Sequence, residues 1–279
     1  KVHVHTEDPG NALEAGLAYG QLLTVKIDNM KEQHRTAGEK DRAGSPKPAA
    51  PQPAAPAEAV GFVAVAAGDG LRTLFTDLGC AQVVSGGQTM NPSTEDLVAA
   101  ARATPAKTVL ILPNNKNIIL AAEQAVPLVK DRKVTVLPTR TVPQGLSAML
   151  AYDPDSPVEA NTVAMMEAAS GVTTGTVTFA ARDSEFGGHK IRKDDTLGLI
   201  DGRLEIVDHG RNVARVCQRL TRSMTGRGTA FITLIYGAEV SEETANGVYN
   251  QIKSKAGNNV EVTLVNGGQP VYYFLISVE

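Results

Sequence analysis

Tryptophan is absent from these 279 residues, aromatics make up only 4%, and the two cysteines stand far apart, at Cys80 and Cys217, with no CxxC spacing. That usage excludes a disulfide framework and a Cys-rich zinc site, and it predicts two buried thiols in a reducing compartment. Long apolar runs are missing too. None approaches the ~18–20 residues that a membrane-spanning helix needs, and no basic stretch leading into an apolar one marks a secretory leader. The expected location is cytoplasmic. Positive charge is not in excess: 27 Lys and Arg stand against 30 Asp and Glu, a formal net charge of −3. A chain so balanced is not built to neutralise nucleic-acid phosphates. Also lacking are a Walker loop, a Ser/His/Asp constellation and a spaced pair of catalytic carboxylates.

What is present is an ordinary soluble composition, 42% hydrophobic and 20% charged, in a chain long enough for one large or two medium domains. Plentiful Ala, Val, Leu and Gly suit Val-rich parallel strands covered by Ala/Leu-rich helices. The first residues alternate, with Val2 and Val4 on one strand face and His3 and His5 on the other. Opening mid-strand without a Met, the chain is expected to be a piece of a longer one. Pro9-Gly10 marks a turn, and Asn11 is the expected N-cap of a helix carrying Leu13, Leu17, Leu22 and Leu23. Residues 37–59 then turn Pro- and Ala-rich with almost no bulky apolar side chain. Such a stretch does not repay its ordering entropy and is read as a semi-stiff linker after a first block, 1–36.

The main body divides into 60–152 and 153–279. In the first part strands at Val60–Ala66, Cys80–Val84, Thr108–Leu112 and Val134–Leu137 alternate with helical patterns, which predicts a parallel α/β sheet. Ser93 is positioned to cap one helix, with Glu95 and Asp96 in its first turn. The second part begins with a helix at Pro157–Ala169 and continues in α+β style. Strands are expected at Gly175–Ala181, Thr196–Ile200, Arg203–Val207, Ala230–Tyr236, Val260–Val265 and Tyr272–Val278. Asp201-Gly202 is a hairpin signal. Helices are expected at Val213–Met224 and after Ser241.

Three polar loops follow strands of the parallel sheet, where open α/β sheets bind ligands. The first runs Ser85-Gly86-Gly87-Gln88-Thr89-Met90-Asn91-Pro92-Ser93-Thr94. The second is Pro113-Asn114-Asn115-Lys116-Asn117, and the third Thr139-Arg140-Thr141-Val142-Pro143-Gln144-Gly145. Together they offer a site for an anion or a protein surface, or they are simply cap and turn chemistry. Gly68-x-Gly70 opens a helix after a strand, but position 73 is Thr, so the dinucleotide fingerprint is incomplete and a tight turn is expected. His3 and His5 share a face, yet two ligands do not close a zinc site. His189 and His209 are assigned no role.

Several stretches resemble the dihydroxyacetone-kinase-related large subunit of bacterial fatty acid kinase. Lys1–Gly10, Tyr19-Gly20 and Ile27–His34 resemble its central region. Val84–Thr94, Leu112–Ile118, Pro138–Gly145 and Gly267-Gly268-Gln269-Pro270 resemble its C-terminal region. The resemblance implies a remnant of the central catalytic and dimerising domain at 1–36, followed by a DegV-like fold of two subdomains. It also implies a homodimeric parent with an ATP- and magnesium-binding domain outside this chain, and a DegV-like fatty-acid-binding protein as partner. His3 and His5 match two catalytic histidines of the family, whose partner Cys lies upstream. The fragment is therefore expected to hold no cofactor or metal of its own and to lack kinase activity. The Gln88-Thr89-x-x-Pro92-Ser93 loop matches a Thr-Ser-x-Pro-Ser loop of the fatty-acid binders. Where those binders grip the acyl carboxylate, this chain has Pro113-Asn114-Asn115-Lys116. That departure favours a docking role, with Asp69, Asp77, Glu95, Asp96, Asp153 and Asp155 as candidate acids for a basic partner. The alternatives are a lipid binder in its own right and a glycerone-type kinase.

Overall fold

The computed structural model describes residues 6, 8–21, 25, 51–87, 90–186 and 189–279. It divides the chain into two units, Lys1–Ala49 and Ala50–Glu279. In the first, helix α1 (Pro9–Leu17) is capped not by Asn11 but by Asp8, whose carboxylate accepts the Asn11 N–H at 3.4 Å and the Asn11 Nδ2–H at 2.9 Å. The reason is Pro9: with a preset φ and no N–H to satisfy, it fits the first helical turn, so the cap falls one residue before it. The strand expected at the start, with His3 and His5, and the positions of Leu22 and Leu23 lie outside the described residues.

In the second unit the chain is fixed before the first strand begins. Residues 51–57, within the stretch expected to be linker, run alongside the body. The Ala54 N–H donates to the Arg102 carbonyl at 3.0 Å and the Ala57 N–H to that of Pro105 at 3.0 Å. Arg132, 9% exposed, donates to the carbonyls of Ala54 (2.9 Å), Ala101 (3.3 Å) and Thr104. Proline removes donors, but the donors left between prolines still find acceptors, and an extended chain loses little entropy on docking.

Four βα units follow: β1 (Glu58–Ala66), α2 (Asp69–Asp77), β2 (Cys80–Ser85), α3 (Thr94–Ala103), β3 (Ala106–Leu112), α4 (Ile119–Ala125), β4 (Lys133–Val136) and α5 (Val142–Leu150). The strands pair in parallel in the order β2-β1-β3-β4. Helix α5 occupies part of what reads in the sequence as the third polar loop, so that loop ends at Thr141. Pro143 sits in the helix's first turn, and the Thr141 hydroxyl accepts the Gln144 N–H at 3.3 Å as its cap.

After α6 (Val158–Gly171) come β5 (Thr173–Phe179), the hairpin strands β6 (Ser184–Phe186) and β7 (His189–Ile191), β8 (Thr196–Ile200), β9 (Arg203–Asp208) and α7 (Val213–Met224). Next are β10 (Phe231–Tyr236), α8 (Glu242–Lys253), β11 (Glu261–Asn266) and β12 (Tyr272–Val278). The six-stranded sheet runs β11-β10-β12-β5-β8-β9, with β10–β11 parallel and the other pairs antiparallel. Asp201 (φ 48°) and Gly202 (φ 79°) form the two-residue turn between β8 and β9, the positive-φ pair that such hairpins need.

Alternation along the strands builds three packed cores. Val63 and Val65 of β1 join Leu97, Ile111 and Ala122 beneath α3 and α4. Phe62 and Ala64, on the other face, meet Leu71, Phe75, Met149 and Met165, and with them Ile235 and Leu275 of the second sheet. Ile232, Leu234 and Phe274 face away from that layer toward Val216, Leu220 and Val248 of α7 and α8. The order is thus helices, parallel sheet, helices, mixed sheet, helices. Both cysteines are buried in it, as their isolation predicts, and burial pushes the Cys80 thiol up to about 12 and that of Cys217 higher still.

Candidate functional site

The carboxyl ends of β1–β4 bring the predicted loops to one edge, but much of their polarity is consumed internally. Gly86 is buried, and a side chain there would come within 2.6 Å of Pro92 Cδ and 2.9 Å of Val65 Cγ1. The Gly87 N–H donates to the Met90 carbonyl at 2.9 Å, across Gln88 and Thr89, which lie outside the described residues. Ser93 forms a capping box for α3: its hydroxyl accepts the Asp96 N–H at 3.1 Å, and its own N–H donates to Asp96 Oδ2 at 3.0 Å. Ser85 and Asn91 are exposed and Thr94 is half-buried.

Asn114 and Thr139, from the second and third of these polar loops, are buried, at 6% and 1% exposure. Asn114 Nδ2 donates to the Val65 carbonyl at 3.0 Å, and its Oδ1 accepts the Thr139 hydroxyl at 2.8 Å. The Asn114 N–H donates back to Thr139 Oγ1 at 3.1 Å. Asn114 holds φ 55°, a conformation Asn tolerates better than most residues. Gly145 of α5 lies so close that a side chain there would run into the Asn114 amide. One Asn–Thr latch therefore ties the ends of β1, β3 and β4 to α5. Asn115 is half-buried and accepts the Asn117 N–H at 2.9 Å. Thr141 shares a 2.8 Å hydrogen bond with the hydroxyl of Thr174, on β5. Only Lys116 and Arg140 extend charged side chains from these loops, and both are exposed.

A second close fit was not expected from the sequence. The Gly68-Asp69-Gly70 turn meets the Gly267-Gly268-Gln269 loop between β11 and β12. A Cβ on Gly70 would collide with the backbone oxygen of Asn266, and one on Gly68 would lie 2.5 Å from that of Gly267. The Leu71 N–H donates to the Gly267 carbonyl at 3.0 Å, so this N–H at the start of α2 serves protein rather than phosphate. Gln269 is 3% exposed. Its Nε2 donates to the Ile235 carbonyl at 3.0 Å, while its Oε1 is buried without a hydrogen-bond partner. Gly68 and Gly70 thus make the tight turn that the incomplete fingerprint implies, and they also pack closely against a second loop. Their partner loop lies almost two hundred residues away, beyond any local signal.

The six candidate acids do not form one surface. Asp69, Glu95 and Asp96 sit at the starts of α2 and α3, at the carboxyl edge of the sheet. Asp77 ends α2, and Asp153 and Asp155 follow α5, at the opposite edge. Asp153 Oδ2 accepts the Ser156 hydroxyl at 2.7 Å, which, with the Asp155 N–H, holds its exposed carboxyl below the usual range.

On the mixed-sheet half, an open cleft of ≈ 320 Å³ places Asp194 and Glu239 beside Arg211 and Tyr273. Arg211 and Asp194 pair at 3.2 Å. Burial, with the charges of Glu239 and Asp194, raises the Tyr273 phenol above its ordinary value. The neighbouring Asp195, almost fully buried, accepts the Arg192 N–H at 2.6 Å and pairs with His209 Nδ1 at 2.8 Å. Burial alone would raise the Asp195 carboxyl, but these donors outweigh it and hold the group below the usual carboxylate range. Among the described residues no three His, Cys, Asp or Glu side chains cluster closely enough to hold a metal ion, and no helix is long and apolar enough to cross a membrane.

A parallel α/β layer joined through a shared helical layer to a mixed sheet is the DegV-type architecture. A DegV family protein from Corynebacterium glutamicum superposes with a TM-score of 0.58 at 15% identity, over 80% of this chain and 97% of that one. A DegV family protein from Thermus thermophilus, described as fatty-acid-binding, gives 0.58 at 16% identity over 79% and 99%. The dihydroxyacetone kinase of C. freundii gives 0.56 at 14% identity over 92% and 57%. The sequence decides the family. Residues 61–279 match the FakA-like C-terminal family of fatty acid kinase, and residues 1–37 match the FakA-like middle domain. The chain belongs to that FakA-like family of fatty acid kinase subunits. Protein YloV of Bacillus subtilis is 42% identical over the whole chain, and a Staphylococcus aureus relative of uncharacterised function is 37% identical. The chain spans about half the length of these curated relatives, 49% of each.

Proposed function

We propose that Ala50–Glu279 is the docking module of a fatty acid kinase. In this reading it receives an acyl-loaded, DegV-like binding protein, while ATP and magnesium act in a part of the parent chain that this sequence does not include. The parent is homodimeric and cytoplasmic, and the chain alone has no kinase activity. His3 and His5 belong to the family's central catalytic set. The observation that carries the reading is the Asn114–Thr139 latch. At the sheet edge where a lipid carrier needs free donors for an acyl carboxylate, the buried amide and hydroxyl are committed to Val65 and to each other. A buried donor already satisfied gains little by changing partners. The exposed groups there, Lys116 and Arg140 with Asp69, Glu95, Ser85 and Asn91, suit contact with another protein.

The second reading, a lipid binder in its own right, draws on the fold shared with fatty-acid-binding DegV proteins. Native mass spectrometry of the purified chain separates the two. Docking predicts the bare protein mass, with or without added oleate. A stoichiometric fatty-acid adduct that survives delipidation and reloading supports the carrier reading and overturns the first. A glycerone-type kinase reading rests on the match to dihydroxyacetone kinase. It predicts dihydroxyacetone phosphorylation by the parent chain.

A further inference from the structure

On the outer face of the mixed sheet, far in the fold from the polar edge, α7 and α8 flank a cleft of ≈ 530 Å³. Arg219 and Arg222, three residues apart on α7 and therefore on one face, extend along it. Lys255, just past α8, reaches across: its ammonium donates to Gln218 Oε1 at 2.9 Å, and the Gln218 amide is held in turn by Gln251. One glutamine thus positions the lysine over α7 and leaves two of its three N–H donors uncommitted. Among the described residues no Asp or Glu lines the cleft. Among them, too, neither guanidinium has a hydrogen bond or ion pair, whereas Arg215, one turn earlier on the same helix, is paired with Asp208. The floor is apolar, from Ile232, Ile252 and Ala256.

Basic residues at a helix C-terminus complement its dipole, which accounts for Arg222 in the last turn of α7. It does not account for Arg219 a turn earlier, nor for an ammonium brought over from another helix. Three cations around a carboxylate-free cleft, in a chain with a net charge of −3, call for an anion. Two planar guanidinium forks and a point-charge ammonium match a doubly charged tetrahedral oxyanion better than a single carboxylate, which one fork saturates. A cleft of this size lies in the ~300–1,000 Å³ range of small-molecule sites, and its floor leaves room for an apolar group beside the anion.

We propose that this cleft binds a phosphate monoester, with Arg219, Arg222 and Lys255 on the phosphate and the attached group over Ile252 and Ala256. The site is separate from the docking edge and does not depend on its role. The test is titration calorimetry on the whole chain with dodecyl phosphate below its micelle concentration, inorganic phosphate and dodecanoate. Dodecyl phosphate is expected to bind 1:1 and to weaken about tenfold or more in the R219A/R222A double variant and in K255A, with melting curves unchanged. Retained binding of inorganic phosphate would identify a free phosphate as the source, and its loss an amphiphilic ester. Either result supports the site. Absence of binding by both phosphates, equal affinity for dodecanoate, or indifference to these substitutions would overturn it.

Discussion

Replacing Asn114 with Ala removes a side chain that serves two buried partners at once. The Val65 carbonyl loses its 3.0 Å donor, and the Thr139 hydroxyl loses its 2.8 Å acceptor. Each buried polar group left unsatisfied costs about 1–3 kcal/mol. Ala at φ 55° adds about 1 kcal/mol of backbone strain that Asn tolerates better. The sum is about 3–7 kcal/mol, or a melting temperature lower by about 6–28 °C for a unit of this size. Far-UV circular dichroism is the assay, since the chain has no Trp to report by fluorescence. Asn114→Gly separates the contributions: it relieves the strain but not the lost bonds, and should recover about 1 kcal/mol. Thr139→Val removes the same hydrogen bond from the other side, so the double variant should lose less than the sum of the singles. A loss below about 1 kcal/mol in Asn114→Ala, or strict additivity with Thr139→Val, would refute the latch.

Gly70→Ala drives a Cβ into the Asn266 backbone, where no rotamer change relieves the clash; a loss of about 3 kcal/mol or more is expected in urea unfolding, and a near-neutral result would refute the dovetail. Arg132→Met takes the donor from the carbonyls of Ala54, Ala101 and Thr104, and should cost about 2–4 kcal/mol while amide exchange accelerates at Ala54 and Ala57. Asp195 is held below its unfolded value, so its stabilisation is complete above the ordinary carboxylate pKa of ~4 and is lost as pH falls through the folded value. The stability gap between the wild type and Asp195→Asn should therefore be widest near neutrality and close in acid; a gap constant with pH would contradict the assignment.

Local signals and distant partners explain what the sequence disclosed. The four parallel strands follow from apolar runs bounded by Gly, Pro and Asn, and the capping serines at 93 and 241 sit before acidic first turns that leave little ambiguity. The Asp201-Gly202 turn is equally local. Helix α5 is obscured because Thr139–Gly145 mixes Pro, Gly and polar residues that also describe a loop; Thr141 with Pro143 was the available signal for its start. The strands β6 and β7 are three residues each, too short for a period to register. For Asn114 and Thr139 the sequence left open whether their loops form a site or serve as cap and turn chemistry. Their partners lie 49 and 25 positions away, so nothing local distinguishes a buried, satisfied amide from a solvated one.

The most direct test of the docking account is the affinity of the whole chain for an acyl-loaded, DegV-like binding protein at about 50 mM and 500 mM salt, ionic strengths that bracket strong and weak screening. A 1:1 complex is expected, weakened at least about tenfold at the higher salt because complementary charges steer and hold it. No complex at low salt, from a chain that instead carries its own fatty acid, would contradict the account.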